Sequence, residues 1–252
     1  MGQGAGTVIL KRLRDAVQAG DRIYAVITGF GQSSDGKGKY IAAPNEEWQA
    51  RAIELACRMA GYPVDTIEMV EAHGTATIVG DVVEVSALKK AFAALGSTRR
   101  NYCGLTSVKS NIGHLNSAAG IAGVLKAVLA LHHKVLPPTA SFQEINPKLA
   151  LENSPFYILD QAREWPASAD HPRRANVSAF GFGGADYHLA LEEYREQDYA
   201  RKWGVGFSTD VKAVPRADEA TSPQPAALEV FFSADDDLAL DEQVLAFMAE
   251  GG

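Results

Sequence analysis

Two histidines lie where strand-like runs give way to glycine-containing loops. His73 belongs to Glu71–Thr77 (EAHGTAT), and His114 ends Val108–His114 (VKSNIGH), which also contains Lys109. An imidazole can donate a hydrogen bond at neutral pH, and a lysine supplies a positive charge. With the neighbouring threonine hydroxyls, these groups could polarise a carbonyl and bind a polar chain if the fold brings the two segments together.

The elements around the histidines alternate between strand and helix. Residues 66–72 and 102–108 have strand patterns, and helical patterns cover about 45–59, 82–95 and 117–133. Ligands of open α/β sheets bind at the carboxyl ends of the strands, which is where both histidines would lie. The sequence therefore predicts an α/β fold. Further strands are predicted at 7–10, 23–27, 175–179 and 186–191, and further helices after Leu13, closed by Gly20, and from Glu192 to Arg201.

Three other segments carry weaker patterns. Gly29–Gly38 reads as a polar loop that could cradle an anion, although it lacks the order of a P-loop or of a dinucleotide fingerprint. The helix at 45–59 is predicted to bury a face that includes Trp48 and Met59. Residues 139–170 are predicted to form a long irregular connection, with Trp165 packing on the surface.

Composition excludes several classes of function. The 252 residues are 46% hydrophobic and 22% charged, with a net charge of −7, so the chain has no basic field for nucleic acid. It has no apolar run that could span a bilayer, and Met1–Gly6 does not resemble a signal peptide. The two cysteines, Cys57 and Cys103, predict a reducing, cytoplasmic setting, and Cys57 reads as a structural thiol. His132 and His133 fit a helix C-terminus better than a zinc site, so no metal is predicted.

Three strings resemble, in order and spacing, the C-terminal signatures of β-ketoacyl synthases, the condensing enzymes of fatty-acid and polyketide assembly. They are Glu71–Glu84, Ser107–His114 and Val177–His188, and the resemblance runs from about residue 2 to residue 194. It implies a thiolase-like fold, two related α/β halves in an αβαβα sandwich, of which this chain is the second half. Residues 1–194 would form the half-domain, and residues 195–252 an extended linker that includes the start of a ketosynthase-to-acyltransferase linker.

The resemblance implies a role for each residue of the two histidine loops. His73 and His114 would hydrogen-bond the thioester carbonyl of a malonyl extender and stabilise the enolate that forms on decarboxylation. Lys109 would orient His114 within an ion-pair network with Asp81 and Glu84, which are spaced i, i+3 at the start of a helix.

It also implies how the substrate is held. Thr75 and Thr77 would bind the pantetheine arm, and Phe182 would act as a gate whose backbone N–H helps to form the oxyanion hole; taken alone, Phe182 would read as a core residue. No cofactor would be bound, because an acyl carrier protein presents the phosphopantetheine. The complete enzyme would be a homodimer, and His188 would be structural. Residues 131–138 and 151–157 look most like ketosynthases of multidomain bacterial synthases of the polyunsaturated-fatty-acid or iterative polyketide type.

Three departures from the family pattern matter. Ala76 stands where glycine is common, Ala185-Asp186 replaces the usual Thr-Asn, and the nucleophilic cysteine of the family has no counterpart, since Cys103 lacks its context. We therefore expect an N-terminal half to supply the cysteine and this chain alone to be inactive in condensation. The alternatives are a noncatalytic module that binds a carrier protein or sets chain length, and a gene-boundary artefact that exposes an apolar face and does not fold stably alone.

Overall fold

The computed structural model describes residues 2–36 and 43–203, and it is a layered α/β structure built on one mixed sheet. The sheet has six strands in the order β1-β8-β7-β2-β3-β5; β7, β2, β3 and β5 pair in parallel, and β8 pairs antiparallel with both of its neighbours, β7 and β1. The strands are β1 (Val26–Ser34), β2 (Met69–Glu71), β3 (Cys103–Thr106), β5 (Phe156–Ile158), β7 (Arg174–Phe180) and β8 (Ala185–Glu192), and a separate antiparallel pair joins β4 (Val135–Leu136) to β6 (Arg163–Glu164).

Helices cover both faces of the sheet. The helices α2 and α3 enclose one hydrophobic cluster that includes Ile53, Leu88 and Phe92, and α5 covers a second cluster on the other face around Leu131 and Leu191. Parallel strands covered on both faces explain why β2 and β3 are entirely buried. The helices are α1 (Leu13–Ala19), α2 (Glu46–Ala60), α3 (Gly80–Ala94), α4 (Lys109–Ile112), α5 (Ala119–His133) and α6 (Glu196–Trp203).

Helix termini follow the signals in the sequence. The Asn45 side chain accepts a hydrogen bond from the Glu47 N–H and caps α2, and Gly20 and Gly61 end α1 and α2 in the left-handed conformation. These features confirm the predicted helices after Leu13 and after Asn45. The strands before the two histidines are also confirmed, although each is shorter than predicted.

The first part of the glycine-rich segment, residues 29–34, belongs to β1 and is not a loop. A side chain at Gly29 would place its Cβ 2.0 Å from the Ala56 carbonyl oxygen, and one at Gly31 would place it 1.8 Å from the Ala52 oxygen. These glycines therefore let α2 lie directly on β1, a close approach that only glycine permits. The interpretation of this segment as an anion cradle is wrong for residues 29–34, and residues 37–42 lie outside the described part of the chain.

Three other predictions from the pattern are wrong. Residues 7–10 form no strand, and Trp48 and Met59 are exposed, because α2 buries the face that contains Ala52, Ile53 and Ala56 instead. Trp165 is only 1% exposed, and its indole Nε1–H donates to Glu68 Oε2 at 2.7 Å. Its partner is distant in sequence, so local pattern could not reveal its burial.

The last described helix passes the predicted domain boundary at residue 194. Tyr199 of α6 is buried, stacks on Tyr194 at 5.7 Å and donates its hydroxyl to Glu192 Oε1 at 2.5 Å. The boundary itself stays a prediction, as do the linker after residue 203 and the strand at 228–232, which lie outside the described residues. No helix in the described part is long and apolar enough to cross a membrane.

Candidate functional site

The fold brings His73 and His114 together. The neighbouring parallel strands β2 and β3 deliver the two loops at their carboxyl ends, as the pattern predicted. The imidazole centroids lie 5.6 Å apart and the ring planes meet at 86°, an edge-to-face arrangement. Phe180, the last residue of β7, forms a third wall at 6.0 Å from the His73 ring. Its role was missed in the sequence, where it read as the first residue of the glycine-rich loop after residues 175–179.

Glu84 fixes the loop that carries His73. Its buried carboxylate accepts the backbone N–H of His73 at 2.7 Å and that of Gly74 at 2.8 Å. Burial raises the pKa of Glu84 to about 7, while these two amides favour its charged form. The carboxylate from α3 therefore holds the main chain on both sides of the histidine Cα.

Asp81 performs a similar task one turn earlier in α3. Its Oδ1 accepts the Ala76 N–H at 3.1 Å, and Ala76 has φ 58°, in the left-handed region. Glycine would adopt this conformation without strain, so glycine suits this position better than the alanine that this chain has. The hydrogen bond that Ala76 N–H donates to Asp81 helps to stabilise the strained turn.

His114 has a defined tautomer. Its Nδ1 accepts the backbone N–H of Asn116 at 2.9 Å, so in the neutral ring the proton resides on Nε2. Asn116 has φ 53°, a left-handed conformation that asparagine tolerates better than most residues. The loop after α4 therefore presents His114 Nε2 as a hydrogen-bond donor.

The electrostatics keep both imidazoles neutral. Burial, followed by the positive charge of Lys109 and then by the repulsion that a protonated His114 would exert, lowers the pKa of His73 to about 3. Burial and then Lys109 also lower the pKa of His114. The Nδ1 atom of His73 is buried without a hydrogen-bond partner among the described residues. At neutral pH the pair can donate hydrogen bonds to an oxygen without adding charge to the site.

Lys109 does not form the predicted ion pair. Within the described residues it makes no direct ion pair with Asp81 or Glu84, whose oxygens bind backbone amides instead. Burial lowers the pKa of Lys109, and the carboxylate of Glu71 opposes this shift more than that of Glu84 does. Lys109 therefore contributes a positive charge to the site, and none of the described acidic side chains pairs with it directly.

A buried ion pair that the sequence reading missed lies beneath the site. Glu71 of β2, 1% exposed, pairs with Lys126 Nζ of α5 at 3.1 Å and accepts the Val108 N–H at 2.5 Å. Lys126 also donates to Thr106 Oγ1 at 2.7 Å. One carboxylate thus joins the strand before His73 to the residue before Lys109. A lysine inside the apolar pattern of α5 was the available signal, because buried lysines require a partner.

Thr75 and Thr77 lie on the loop after His73. Their hydroxyl oxygens are 3.2 Å apart, and Thr77 Oγ1 accepts the Gly80 N–H at 3.1 Å, which starts α3. Thr77 is exposed and Thr75 is half-buried. Both hydroxyls remain near the surface beside the histidine pair.

Phe182 lies at the tip of the turn between β7 and β8. Its side chain is 93% exposed, so the alternative interpretation as a core residue is wrong. The turn is closed by Gly181 N–H to Ala185 O at 2.8 Å and Gly184 N–H to Gly181 O at 2.9 Å. Gly183 and Gly184 have φ of 108° and 86°, values that favour glycine. The ring therefore projects from a turn with a defined backbone.

Neither cysteine has the environment of a nucleophile. Cys57 is buried in α2, where Asn176 Nδ2 donates to its sulfur at 3.4 Å, and burial raises its pKa to about 12. Burial also raises the pKa of Cys103, which lies inside β3. A reactive thiol needs a lowered pKa, so both read as structural.

His188 is a sheet residue. Its Nε2 accepts from Asn176 Nδ2 at 2.9 Å and its Nδ1 bonds Ser178 at 3.1 Å, while complete burial lowers its pKa to about 3. This position agrees with a structural role. Among residues 2–36 and 43–203, no cluster of three or more His, Cys, Asp or Glu side chains could hold a metal ion.

The chain is similar to known proteins in sequence and in structure. Residues 24–143 match the family described as the C-terminal domain of beta-ketoacyl synthase. The chain is 46% identical over 203 residues to polyketide synthase PksN of Bacillus subtilis, covering 77% of this chain and 4% of that protein. It is 42% identical over 196 residues to polyketide synthase ThaG of Burkholderia thailandensis, covering 78% and 4%. A ketosynthase from module 6 of the Bacillus subtilis bacillaene synthase superposes with a TM-score of 0.71 and 40% identity, covering 73% of this chain and 33% of that one.

The layered mixed sheet, with its histidine loops at the carboxyl edge, defines a thiolase-like α/β protein. The chain belongs to the β-ketoacyl synthases and corresponds to the C-terminal half of a ketosynthase domain of a type I polyketide synthase. It spans about a third of the solved ketosynthase and a few per cent of the synthases it resembles.

Proposed function

We propose that this chain supplies the extender side of a ketosynthase site for decarboxylative Claisen condensation. The observation that carries the proposal is the pair of neutral imidazoles 5.6 Å apart, with the donor nitrogen of His114 set by Asn116. A malonyl thioester would place its carbonyl oxygen between His73 and His114. Hydrogen-bond donors fixed in advance stabilise the negative charge that develops on such an oxygen.

The reaction balances as two steps. The bond between the malonyl carboxylate and its α-carbon breaks, carbon dioxide leaves, and the electron pair forms an enolate whose oxygen the imidazoles bind. The enolate carbon then attacks an acyl thioester on a cysteine, a carbon–carbon bond forms, and the cysteine thiolate leaves. Because Cys57 and Cys103 are buried and their pKa values are raised, the acyl-bearing cysteine would come from the N-terminal half of a ketosynthase.

Lys109, Asp81 and Glu84 would act through the histidines. In this proposal the positive charge of Lys109 adds to burial in keeping both rings neutral, and the two carboxylates hold the backbone of the His73 loop. They are positioning residues, since each acts on the loop or on the imidazoles and not on the extender.

The substrate would arrive on a carrier protein. The hydroxyls of Thr75 and Thr77, near the surface beside the histidines, would hydrogen-bond the amides of a phosphopantetheine arm presented by an acyl carrier protein. Phe182 would close over the acyl thioester from its glycine turn, with its backbone N–H contributing to the oxyanion hole. The complete enzyme would be a homodimer.

The test is to combine this chain with a cysteine-bearing ketosynthase half and to measure carbon dioxide release from malonyl-carrier protein. His73→Ala and His114→Ala should each lower the rate by about 10²–10³-fold, the usual cost of removing one oxyanion donor. His133→Ala, at the exposed end of α5, is the matched control and should leave the rate unchanged. The assigned roles would be refuted if both histidine variants released carbon dioxide as fast as the His133→Ala control. Binding of the carrier protein without any turnover would favour the noncatalytic module instead.

A further inference from the structure

Two carboxyl groups meet where β1 ends and β8 begins. Ser33 of β1 pairs with Asp186 of β8 in the sheet register, and Asp35 follows two residues later. Asp186 is 1% exposed and its Oδ2 has no hydrogen-bond partner among the described residues. Asp35 Oδ1 is likewise buried and without one. Two ionised carboxylates in this position would leave buried negative charge that no described side chain compensates, an arrangement that proteins avoid.

Asp35 is also the anchor of the turn that carries Phe182. Its backbone N–H donates to the Gly184 carbonyl at 2.9 Å, and a Cβ on Gly184 would lie 2.7 Å from the Asp35 Cβ. The backbone N–H of Asn45, the residue that caps α2, is near enough to the Asp35 carboxyl to lower its pKa, against the larger effect of burial. The carboxyl pair therefore lies where the turn, the sheet and the start of α2 meet.

No described neighbour neutralises the pair. The Ser33 hydroxyl has one hydrogen, which it donates to the Trp48 carbonyl at 2.5 Å. On α2, Glu46 is acidic and Glu47 is bound to Lys90. The other titratable side chains of β7 and β8 are Tyr187, His188, whose pKa is lowered to about 3 so that it is uncharged, and the ion pair of Arg174 with Glu192.

We propose that Asp35 and Asp186 share one proton and that this acid pair holds the Phe182 turn against the sheet, releasing it as the pH rises past neutrality. A carboxylic acid donates its O–H to the carboxylate beside it, which satisfies an otherwise unpartnered oxygen on each side. When the proton is lost, the two groups repel each other and the anchor at Asp35 weakens. The consequence for gating rests on the function proposed above, whereas the acid pair itself does not.

The sign of the pH dependence follows from the titration. Burial, and then the neighbouring charge of Asp35, raises the pKa of Asp186 to about 7, and burial also raises the pKa of Asp35. The folded chain therefore retains a proton that the unfolded chain releases near pH 4. The contribution of the pair to stability is fully present below that pH and is lost as the pH rises from about 4 to about 7.

The experiment compares the full chain with Asp186→Asn, in which an amide N–H replaces the shared proton at every pH. In the parent, the melting temperature should fall between pH 5 and pH 8, and the hydrogen-exchange protection of the Asp35 amide, corrected for intrinsic rate, should fall about tenfold or more. Both changes should disappear in Asp186→Asn. Asp170→Asn, on an exposed loop, is the matched control and should keep the pH dependence of the parent.

Asp35→Asn provides a second route if Asp186→Asn fails to fold, and it should abolish the same pH dependence. The proposal would be overturned if the melting temperature fell with pH as steeply in either variant as in the parent. Recovery of the parent's stability at pH 8 by millimolar calcium chloride would also overturn it, because it would identify a cation site in place of a shared proton. Neither measurement depends on condensation activity. The acid-pair proposal can therefore be refuted while the proposed function stands, and the proposed function can be refuted while the acid-pair proposal stands.

Discussion

Glu71 and Asp186 are buried to the same extent at strand ends of one sheet, yet they are compensated in opposite ways. Glu71 has a cation, Lys126, and a backbone amide within hydrogen-bonding distance. Asp186 has a second acid, Asp35, and no described cation. The first arrangement joins the two histidine loops from below, and the second joins the Phe182 turn to the sheet. One side of the candidate site is thus held by opposite charges and the other by a titratable proton.

The largest expected effect on stability comes from removing Lys126, the cation of the buried ion pair with Glu71. Lys126→Met should lower the free energy of unfolding by about 3–5 kcal/mol, because it leaves Glu71 buried without its cation. Urea denaturation measures this change. Lys90→Met removes an exposed lysine paired with Glu47 and should leave the midpoint unchanged. If the double variant Glu71→Gln/Lys126→Met were as unstable as the single one, the loss would not arise from the unpaired carboxylate.

Two glycines test the packing around the two buried acids: Gly184 lies against Asp35, and Gly123 lies against Glu71. Gly184→Ala should cost about 1–3 kcal/mol, because φ is 86° there and the new Cβ would meet the Asp35 Cβ at 2.7 Å. Gly123→Ala in α5 should change stability by less than about 1 kcal/mol, because its gain in helix propensity opposes contacts of 3.2 Å with Glu71 Cγ. Thermal melts of the two variants at pH 5 would give this order. The reverse order would mean that the charged side is the more tightly packed one.

The smallest effect concerns the influence of Lys109 on the pKa values of the two histidines. Lys109→Met should raise the pKa values of both His73 and His114, since removal of a nearby positive charge favours protonation. NMR titration of the imidazole carbon-bound protons measures the shift. The resonances of His188, on which no described charge acts in this way, serve as the internal reference. Unchanged titration of His73 would show that burial alone keeps it neutral.

Local pattern predicted much of the scaffold. Helices α2, α3 and α5 and strands β7 and β8 follow from periodicity and capping, and the resemblance located both histidine loops. What failed depends on distant partners: Gly29 and Gly31 read as loop residues until α2 is seen on top of them, and Trp165 read as surface until Glu68 is beside it.

The candidate site divides in the same way. That His73 and His114 meet could be foreseen from the parallel-strand topology, whereas the ion pair beneath them could not, because it joins β2 to a helix 55 positions later in the chain. Asp186 was noticed as a departure, but the sequence alone could not indicate that a second acid faces it.

The glycines of β1 have a consequence for strand register. A slip of one residue along β8 would bring Phe30 or Gln32 under α2, where the Ala52 and Ala56 carbonyls leave no room for a Cβ. The edge strand can therefore pair with β8 in one alignment only. That alignment sets Asp35 opposite Gly184, so a steric exclusion near the middle of the strand determines which residue meets the turn at its end.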